Sequence, residues 1–194
     1  MVPGRSPIDE TDDVLQIPIS DACWLRSLDE TDADELHALI DANRAYLSRW
    51  MPWASAQSLE DTLRFIRTTR RQLVDNDGFQ AAIVFEATII GVVGFHAVDW
   101  THRRTSIGYW LDERHQGKGT MTRAMRALVD HALHTWQLNR VELRIATDNG
   151  RSRAIAERLG FCEEGILRQA EQIGGRYLDS VVYAMLASDW DGRS

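Results

Sequence analysis

The chain has 194 residues, of which 44% are hydrophobic and 26% are charged. This length suits one domain with a buried core, and these proportions are typical of a soluble globular protein. The formal charge of −7 argues against a non-specific nucleic-acid binder, because a negatively charged protein repels a polyanion. Cys23 and Cys162 lie far apart and form no CxxC pair, which argues against a disulfide framework and favours a reducing, cytoplasmic compartment.

The first 13 residues, MVPGRSPIDETDD, are rich in turn formers and contain no apolar run. We therefore predict a flexible tail at 1–13, not a signal peptide, and one domain at 14–194. The most apolar stretch, 81–95, is interrupted by Glu86 and Thr88 and is too short to cross a bilayer. We expect no association with a membrane.

Apolar residues recur with a period of two in some segments and at three- and four-residue spacing in others, which separates strands from helices. The predicted elements, in chain order, are a strand at 23–28, a helix that begins after Thr31 or Asp32, a helix from the capping box Ser58–Asp61 to 75–78, a β-hairpin at 79–98 that turns at Glu86-Ala87, a strand at 106–111, a helix at 121–136, a strand at 140–147, a short helix ended by Gly160, and two final strands. This order predicts a single α/β domain built on a mixed sheet.

A glycine-rich turn lies between the strand at 106–111 and the following helix. It has the form R-x-x-G-x-G, with Arg114, Gly117 and Gly119. Glycine lets the backbone approach a ligand closely, and the N–H groups at the start of a helix attract anions. The motif therefore predicts a phosphate-binding loop, and a structural turn before a helix is the alternative.

Two other phosphate-binding families use similar residues. A nucleoside-triphosphate loop requires G-x-x-x-x-G-K-[ST], but Lys118 is followed by Gly119. A dinucleotide fingerprint requires a third glycine, and that position holds Thr122. The first pattern does not fit this turn, and the second fits it only weakly.

The turn instead resembles the acyl-CoA pyrophosphate loop of the GNAT N-acetyltransferase superfamily, [QR]-x-x-G-x-[GA]. Further similar segments extend the resemblance over about 23–190, and they match the branch that acetylates ribosomal-protein N-termini. These segments are GYWLDERHQGKG (108–119), RVELRIATDNGRS (140–152), AERLGF (156–161), EGILRQAE (164–171) and the tryptophan-rich LSRWMPW (47–53). The resemblance implies a single GNAT-like α/β domain with a mixed, mostly antiparallel central sheet flanked by helices.

The resemblance also implies acetyl-CoA as the acetyl donor, coenzyme A as the product and no metal. Backbone amides from Gly117 to Thr120 are expected to hold the diphosphate, between the side chains of Arg114 and Lys118. Asn149 is expected to hold the pantetheine arm, and amides near Trp110 and Leu111 the thioester carbonyl. The implied donor-binding residues are Trp110, Leu111, Arg114, Gln116, Gly117, Lys118, Gly119, Thr120 and Asn149.

Amide formation requires a neutral amine, a stabilised oxyanion and a proton donor for the departing thiolate. Many superfamily members use a tyrosine as that donor, but the expected position holds Ala156. The similar serine-acetyltransferase subfamily has a serine acid and a downstream glutamate base. By this resemblance Ser152 is the candidate proton donor and Glu171 the candidate base. Ser152 as a simple helix cap is the alternative.

Other chemistry-bearing residues have ordinary explanations. His131 and His134 stand three apart on a helix, and a solvated helix face is favoured over a metal site because no third ligand lies nearby. Cys162 is predicted to be a buried strand residue, not a nucleophile. Trp50 and Trp53 either line an acceptor pocket or pack between the early helices.

The resemblance implies that the acceptor is the N-terminal α-amine of a protein such as a ribosomal protein. Relatives of this branch also acetylate small aminoacyl and peptide-nucleotide compounds, so detoxification is an alternative function. A non-catalytic acyl-CoA sensor is a third possibility, although the presence of Ser152 and Glu171 argues against it. The resemblance further suggests a homodimer that makes no direct contact with nucleic acid.

Overall fold

An eight-stranded sheet forms the framework of the computed structural model, which describes residues 16–191. In chain order the elements are β1 (Gln16–Ser20), β2 (Cys23–Ser27), α1 (Ala33–Leu47), α2 (Leu59–Val74), β3 (Gln80–Phe85), β4 (Thr88–Asp99), β5 (Arg104–Leu111), α3 (Thr120–Asp130), β6 (Arg140–Ala146), α4 (Gly150–Arg158), β7 (Cys162–Ile173) and β8 (Arg176–Leu186). The strands lie in the order β1-β2-β3-β4-β5-β6-β8-β7.

The pairing of these strands is antiparallel throughout, apart from the parallel pair β5–β6. The predicted α/β fold with a mixed, mostly antiparallel sheet is therefore confirmed. One strand, β1, was not predicted. The predicted tail at 1–13 lies outside the described residues, as do 14–15 and 192–194.

Local signals explain where the early helices begin. Ser58 and Asp61 form the predicted capping box, in which the Ser58 hydroxyl accepts from the Asp61 N–H at 3.1 Å. Helix α1 starts directly after Asp32, but the Asp32 carboxylate does not cap it. That carboxylate instead accepts two hydrogen bonds from Arg26, each 2.7 Å long. The predicted start after Asp32 is correct, although the side chain of this N-cap residue makes no capping hydrogen bond.

The hairpin β3–β4 turns at Glu86 and Ala87, as predicted. Both residues have positive φ, 47° and 68°, which is the backbone twist that a two-residue hairpin turn requires.

Helices cover both faces of the sheet. Helices α1 and α2 bury one apolar cluster, which includes Leu36, Ile40, Ile66, Val92 and Trp110. Helices α3 and α4 bury a larger one on the opposite face, which includes Phe95, Leu128, Val129, Ala156 and Tyr183. We call these the α1/α2 face and the α3/α4 face.

The surroundings of His131 correct one expectation. Helix α3 continues into a π-helical turn at His131–Thr135, and the His131 ring packs edge-on against Phe79 and Trp136, at centroid distances of 5.6 and 4.7 Å. Burial lowers the pKa of His131. Only His134 lies on a solvated face, with its Nδ1 2.8 Å from Asp130. The prediction of a solvated face was wrong for His131 because the helix packs its end against the sheet.

No helix in the described part of the chain is both long and apolar enough to cross a membrane.

Candidate active site

The sheet is split between β5 and β6. Their parallel pairing extends only over Arg104–Ser106 and Arg140–Glu142. Beyond this point β5 stays paired with β4 as far as Leu111, while β6 stays paired with β8 as far as Ala146. The two strands therefore diverge and leave a cleft that passes through the sheet, which we call the split.

The register of β5 decides which of its backbone groups face the split. The Asp112 N–H donates to the Ile90 carbonyl at 2.8 Å. Because such bonds alternate along an antiparallel pair, Trp110 bonds to β4, whereas the N–H groups of Tyr109 and Leu111 point into the split. The amide of Leu111 thus faces the position expected for a thioester carbonyl. The expectation for the Trp110 amide is corrected, since the β4–β5 ladder uses it.

The glycine-rich turn lies at the open end of the split. Gly117 and Gly119 have φ of 74° and 75°, a conformation that favours glycine. Among the described residues the amides of Gly117, Lys118 and Gly119 have no hydrogen-bond acceptor, and Gly119 directly precedes α3. These amides, together with that of Thr120 at the first turn of the helix, form a concave set of donors suited to a diphosphate. We call this set the cradle.

The side chains around the cradle are arranged differently from the sequence expectation. The Arg114 guanidinium donates a hydrogen bond to the Asp112 carboxylate, and the Gln116 side chain donates one to the Leu111 carbonyl at 3.1 Å. The Lys118 side chain is exposed. Hence the Lys118 side chain is free to contact a ligand at the turn, whereas the Arg114 guanidinium is held by Asp112 within the turn.

Two arginines near the cradle were missed. Arg123, in the first turns of α3, reaches back to the Lys118 carbonyl at 3.5 Å. Arg151, at the start of α4, donates to the Gln116 side chain at 2.6 Å and so bridges the two sides of the split. A cation four residues after the last glycine of the motif was the available signal for Arg123. Nothing in the sequence relates Arg151 to Gln116.

Asp112 organises the turn that leads to the cradle. Its carboxylate is buried and accepts from Arg114 Nη2 at 2.8 Å and from His115 Nδ1 at 3.1 Å. Desolvation acts to raise the pKa of Asp112, but the hydrogen bonds from Arg114, His115 and Asn43 outweigh it and lower the pKa to about 2. Asn43 of α1 also accepts from the Glu113 N–H at 2.9 Å, so the turn is fixed to the α1/α2 layer.

Asp112→Asn should lower the free energy of unfolding by about 1–3 kcal/mol at pH 7, because buried donors lose a charged acceptor. The folded-state pKa lies below the unfolded value of 3.8. The contribution of Asp112 is therefore present above about pH 4 and is lost as the pH falls towards 2. Urea denaturation of both proteins from pH 7 to pH 3 measures this. Asp75→Asn is the matched control, because this aspartate is exposed and its side chain accepts no hydrogen bond from the described residues; an equal loss in that variant would contradict the role of Asp112.

The start of α4 places Ser152 beside the split. Asn149 caps the helix, with its Oδ1 accepting from the Ser152 N–H at 3.2 Å. The Tyr109 hydroxyl crosses the split and donates to the Ser152 carbonyl at 3.4 Å. The Ser152 hydroxyl has no partner among the described residues, so the cap is Asn149 and not Ser152. Burial raises the pKa of Tyr109 to about 12, and its hydroxyl therefore stays protonated.

A bulge in β7 places Glu171. The register with β8 shifts between Leu167 and Glu171, and Gln169 within the bulge has a φ of 51°. Glu171 Oε1 accepts from the Ser180 hydroxyl at 3.4 Å, and Ser180 is paired with Ala146 at the end of β6. Glu171 thus lies near the far side of the split.

Ser152 and Glu171 make no contact with each other in the described structure, and they lie on different faces of the sheet. Ser180 is next to Val181 on β8, and neighbouring residues of a strand point to opposite faces. Because Val181 belongs to the α3/α4 core, Ser180 and the Glu171 side chain that it contacts lie on the α1/α2 face. Ser152 belongs to α4 on the opposite face. In the described part of the chain, the split is where a ligand could reach both Ser152 and Glu171.

Aromatic rings lie on the α1/α2 face beside the split. Trp53 packs against Trp110 with ring centroids 6.4 Å apart, and Trp53 remains 38% exposed. Trp50 is half-buried. Trp53 therefore combines packing with an accessible surface, so the two sequence interpretations are compatible for this residue.

Cys162 corrects another expectation. It begins β7 as predicted, but its side chain is exposed, because β7 is the edge strand of the sheet. Among residues 16–191 no group of three or more His, Cys, Asp or Glu side chains is arranged to hold a metal ion.

A split sheet with a cradle of backbone amides at its mouth defines a protein that binds an acyl-coenzyme A. The model of the acetyltransferase (GNAT) domain family matches residues 23–162. The chain therefore belongs to the GNAT acetyltransferase family, and it is an acetyl-CoA-dependent N-acetyltransferase.

Individual relatives share most of their length with this chain. The ribosomal-protein-serine acetyltransferase of Escherichia coli (strain K12) is 32% identical over 173 residues, which are 88% of this chain and 96% of the relative. The solved structure of RimL, a ribosomal L7/L12 alpha-N-protein acetyltransferase in complex with coenzyme A, is 31% identical with a TM-score of 0.85, covering 89% of this chain and 98% of that one. The microcin C7 self immunity acetyltransferase MccE, in complex with acetyl-CoA and AMP, is 29% identical with a TM-score of 0.83, covering 87% and 94%.

Proposed function

We propose that this acetyltransferase modifies the N-terminal α-amine of a ribosomal protein, and that it works in the cytoplasm as a homodimer. The observation that carries the donor side is the cradle of amides between Gly117 and Thr120, which lacks acceptors of its own among the described residues. The names of the E. coli relative and of RimL support a ribosomal protein as the acceptor.

In this proposal the donor lies in the split, with its diphosphate on the cradle and its pantetheine arm beside Asn149. The Asn149 Oδ1 is used by the helix cap, so its Nδ2 is the group that would donate to the arm. The N–H of Leu111 would polarise the thioester carbonyl, which makes the carbonyl carbon more susceptible to attack. Lys118 and Arg123 would offset the phosphate charge.

The acceptor approaches from the α1/α2 face. There Glu171 accepts a proton from the attacking amine, and Ser152 on the opposite face donates one to the departing thiolate. A weak carboxylate can act as the base at the attacking nitrogen because the pKa of an α-amine is only about 7.7–8.0. The position of the two groups on either side of the split supports this assignment, since the nitrogen and the sulfur are separate substituents of the tetrahedral carbon and each needs its own proton-transfer group.

A second acceptor class has structural support. MccE is similar over most of this chain, and its solved structure holds AMP. The accessible Trp53 ring beside Trp110 offers a surface on which a nucleobase can stack. A small aminoacyl or peptide-nucleotide compound is therefore the alternative acceptor.

Two measurements test the proposed function. Calorimetry with acetyl-CoA reports donor binding, and release of free thiol with an acceptor panel reports transfer. We expect release with serine-initiated peptides and none with the same peptides already N-acetylated. Release with aminoacyl nucleotides alone would favour the alternative, and binding without release from any acceptor, polyamines included, would favour a sensor.

A further inference from the structure

His96 lies on the α1/α2 face at the closed end of the split. Its Nδ1 is 3.0 Å from the Ser106 hydroxyl, and its ring lies over Gly108, where a Cβ would approach Nε2 to 2.7 Å. Gly108 therefore makes room for the ring. The side chain extends across β5 towards β6, and the residue is exposed.

The strand register puts His96 on the same face as Glu171. Ser106 and Glu142 form the last parallel pair between β5 and β6. Two residues further along each strand, Gly108 stands at the same height in the sheet as Arg144. Two residues beyond these, Trp110 stands at the height of Ala146 and its partner Ser180. From Leu111 to Ser106 the split is about 16 Å long, at 3.3 Å per residue. A donor anchored at the cradle thus directs its thioester end past Trp110, the level at which Glu171 contacts Ser180, towards Gly108, over which the His96 ring lies.

The proton balance of the reaction requires more than one acceptor. An α-amine is mostly an ammonium ion at pH 7, and it loses two protons when it becomes an amide. The carbon–nitrogen bond forms, the carbon–sulfur bond breaks, and the thiolate takes one proton by way of Ser152. One proton must therefore leave the site for water in each turnover.

We propose that His96 is the group that removes the first proton from the incoming ammonium, through Nε2 or one bridging water. Glu171 then takes the second proton, from the nitrogen that has attacked the carbonyl. Glu171 releases this proton to water, and Ser152 regains from water the proton that it gave to the thiolate. The imidazolium of His96 passes its proton to solvent, to which it is exposed. This inference rests on the proposed acetyl transfer to an α-amine and adds a second base to it.

The surroundings of His96 favour its neutral form. Desolvation lowers the pKa of His96, Arg144 of β6 lowers it further, and the hydrogen bond with Ser106 of β5 raises it. From α2, the group that contacts this segment is the neutral Gln72, which donates to the backbone carbonyls of Phe95 and His96. Free imidazole nitrogen is therefore present at pH 7, when the acceptor still arrives charged.

The experiment is the pH dependence of kcat with a serine-initiated peptide, because kcat reports groups in the enzyme–substrate complex. In the wild type we expect kcat to fall at acid pH with a midpoint below the unperturbed histidine value of about 6.5, because the pKa of His96 is lowered. His96→Gln should lower kcat at pH 7 by about 10²-fold and remove this acid limb. Glu171→Gln should lower kcat but keep the limb. Ser106→Ala, which removes only the partner of Nδ1, should move the limb to lower pH.

His102→Gln is the matched control, because this exposed histidine lies on the β4–β5 turn beside Asp99 and should leave the profile unchanged. An acid limb of unchanged midpoint in both His96→Gln and Ser106→Ala would overturn the proposal, and Ser106→Ala decides the matter if the histidine variant does not fold. Absence of thiol release in the wild type would instead count against the proposed acceptor, so the two failures are distinguishable.

Discussion

Gly119→Val is expected to weaken acetyl-CoA binding about tenfold or more. Gly119 has a φ of 75°, and a β-branched residue there costs about 1–2 kcal/mol of backbone strain, of which 1.4 kcal/mol corresponds to a factor of ten. A Cβ would also lie 3.1 Å from the Arg123 guanidinium. The cradle amides would then point away from the diphosphate. Calorimetric titration with acetyl-CoA measures the dissociation constant.

Gly175→Val provides the matched control. Gly175 has a φ of 79°, and nothing lies within 4 Å of a Cβ built there. It belongs to the turn between β7 and β8, away from the cradle, so the variant has the same backbone strain without the binding defect. If both variants bound acetyl-CoA equally well, the cradle would not be the phosphate site.

Glu171→Gln is expected to lower kcat by about 10²-fold with the acetyl-CoA dissociation constant unchanged. The amide keeps the size of the side chain and its contact with Ser180, but it accepts no proton, and general base catalysis contributes at least this factor. Ser152→Ala should also lower kcat, because the thiolate then departs without a proton donor. Steady-state thiol release at saturating donor and peptide concentrations provides both values.

Glu164→Gln is the comparison for these variants. It is the same substitution on the same strand, and its carboxylate is bonded to Arg140 and not to the site. Turnover in this variant should match the wild type. Near-normal turnover in both Glu171→Gln and Ser152→Ala would mean that other groups handle the protons.

Much of the fold could be predicted because its signals are local. The apolar face of α1 is periodic, Ser58 and Asp61 reciprocally cap α2, and Glu86-Ala87 interrupts two apolar runs. The glycine-rich turn proposed to bind phosphate could also be recognised, because glycine is favoured where φ is positive, as at Gly117 and Gly119. Each of these features depends on residues that are neighbours in the chain.

The site required long-range information. The sequence does not show that β5 and β6 diverge after Ser106, since the split depends on where pairing ends. The bulge that places Glu171 depends on Asp179, which accepts from the Gln169 N–H across the hairpin. The space over Gly108 that the His96 ring occupies exists only because β4 and β5 are paired. For this reason no motif in the sequence indicates that His96 belongs to the site.

The side chains proposed to select the acceptor, Trp53 and Glu171, come from the segment after α1 and from β7, whereas the amides proposed to hold the donor diphosphate belong to the turn that leads into α3. Substitution of either of these side chains changes no residue of that turn. Acceptor preference can therefore diverge among descendants of such a protein while the affinity for the shared acetyl donor is inherited unchanged.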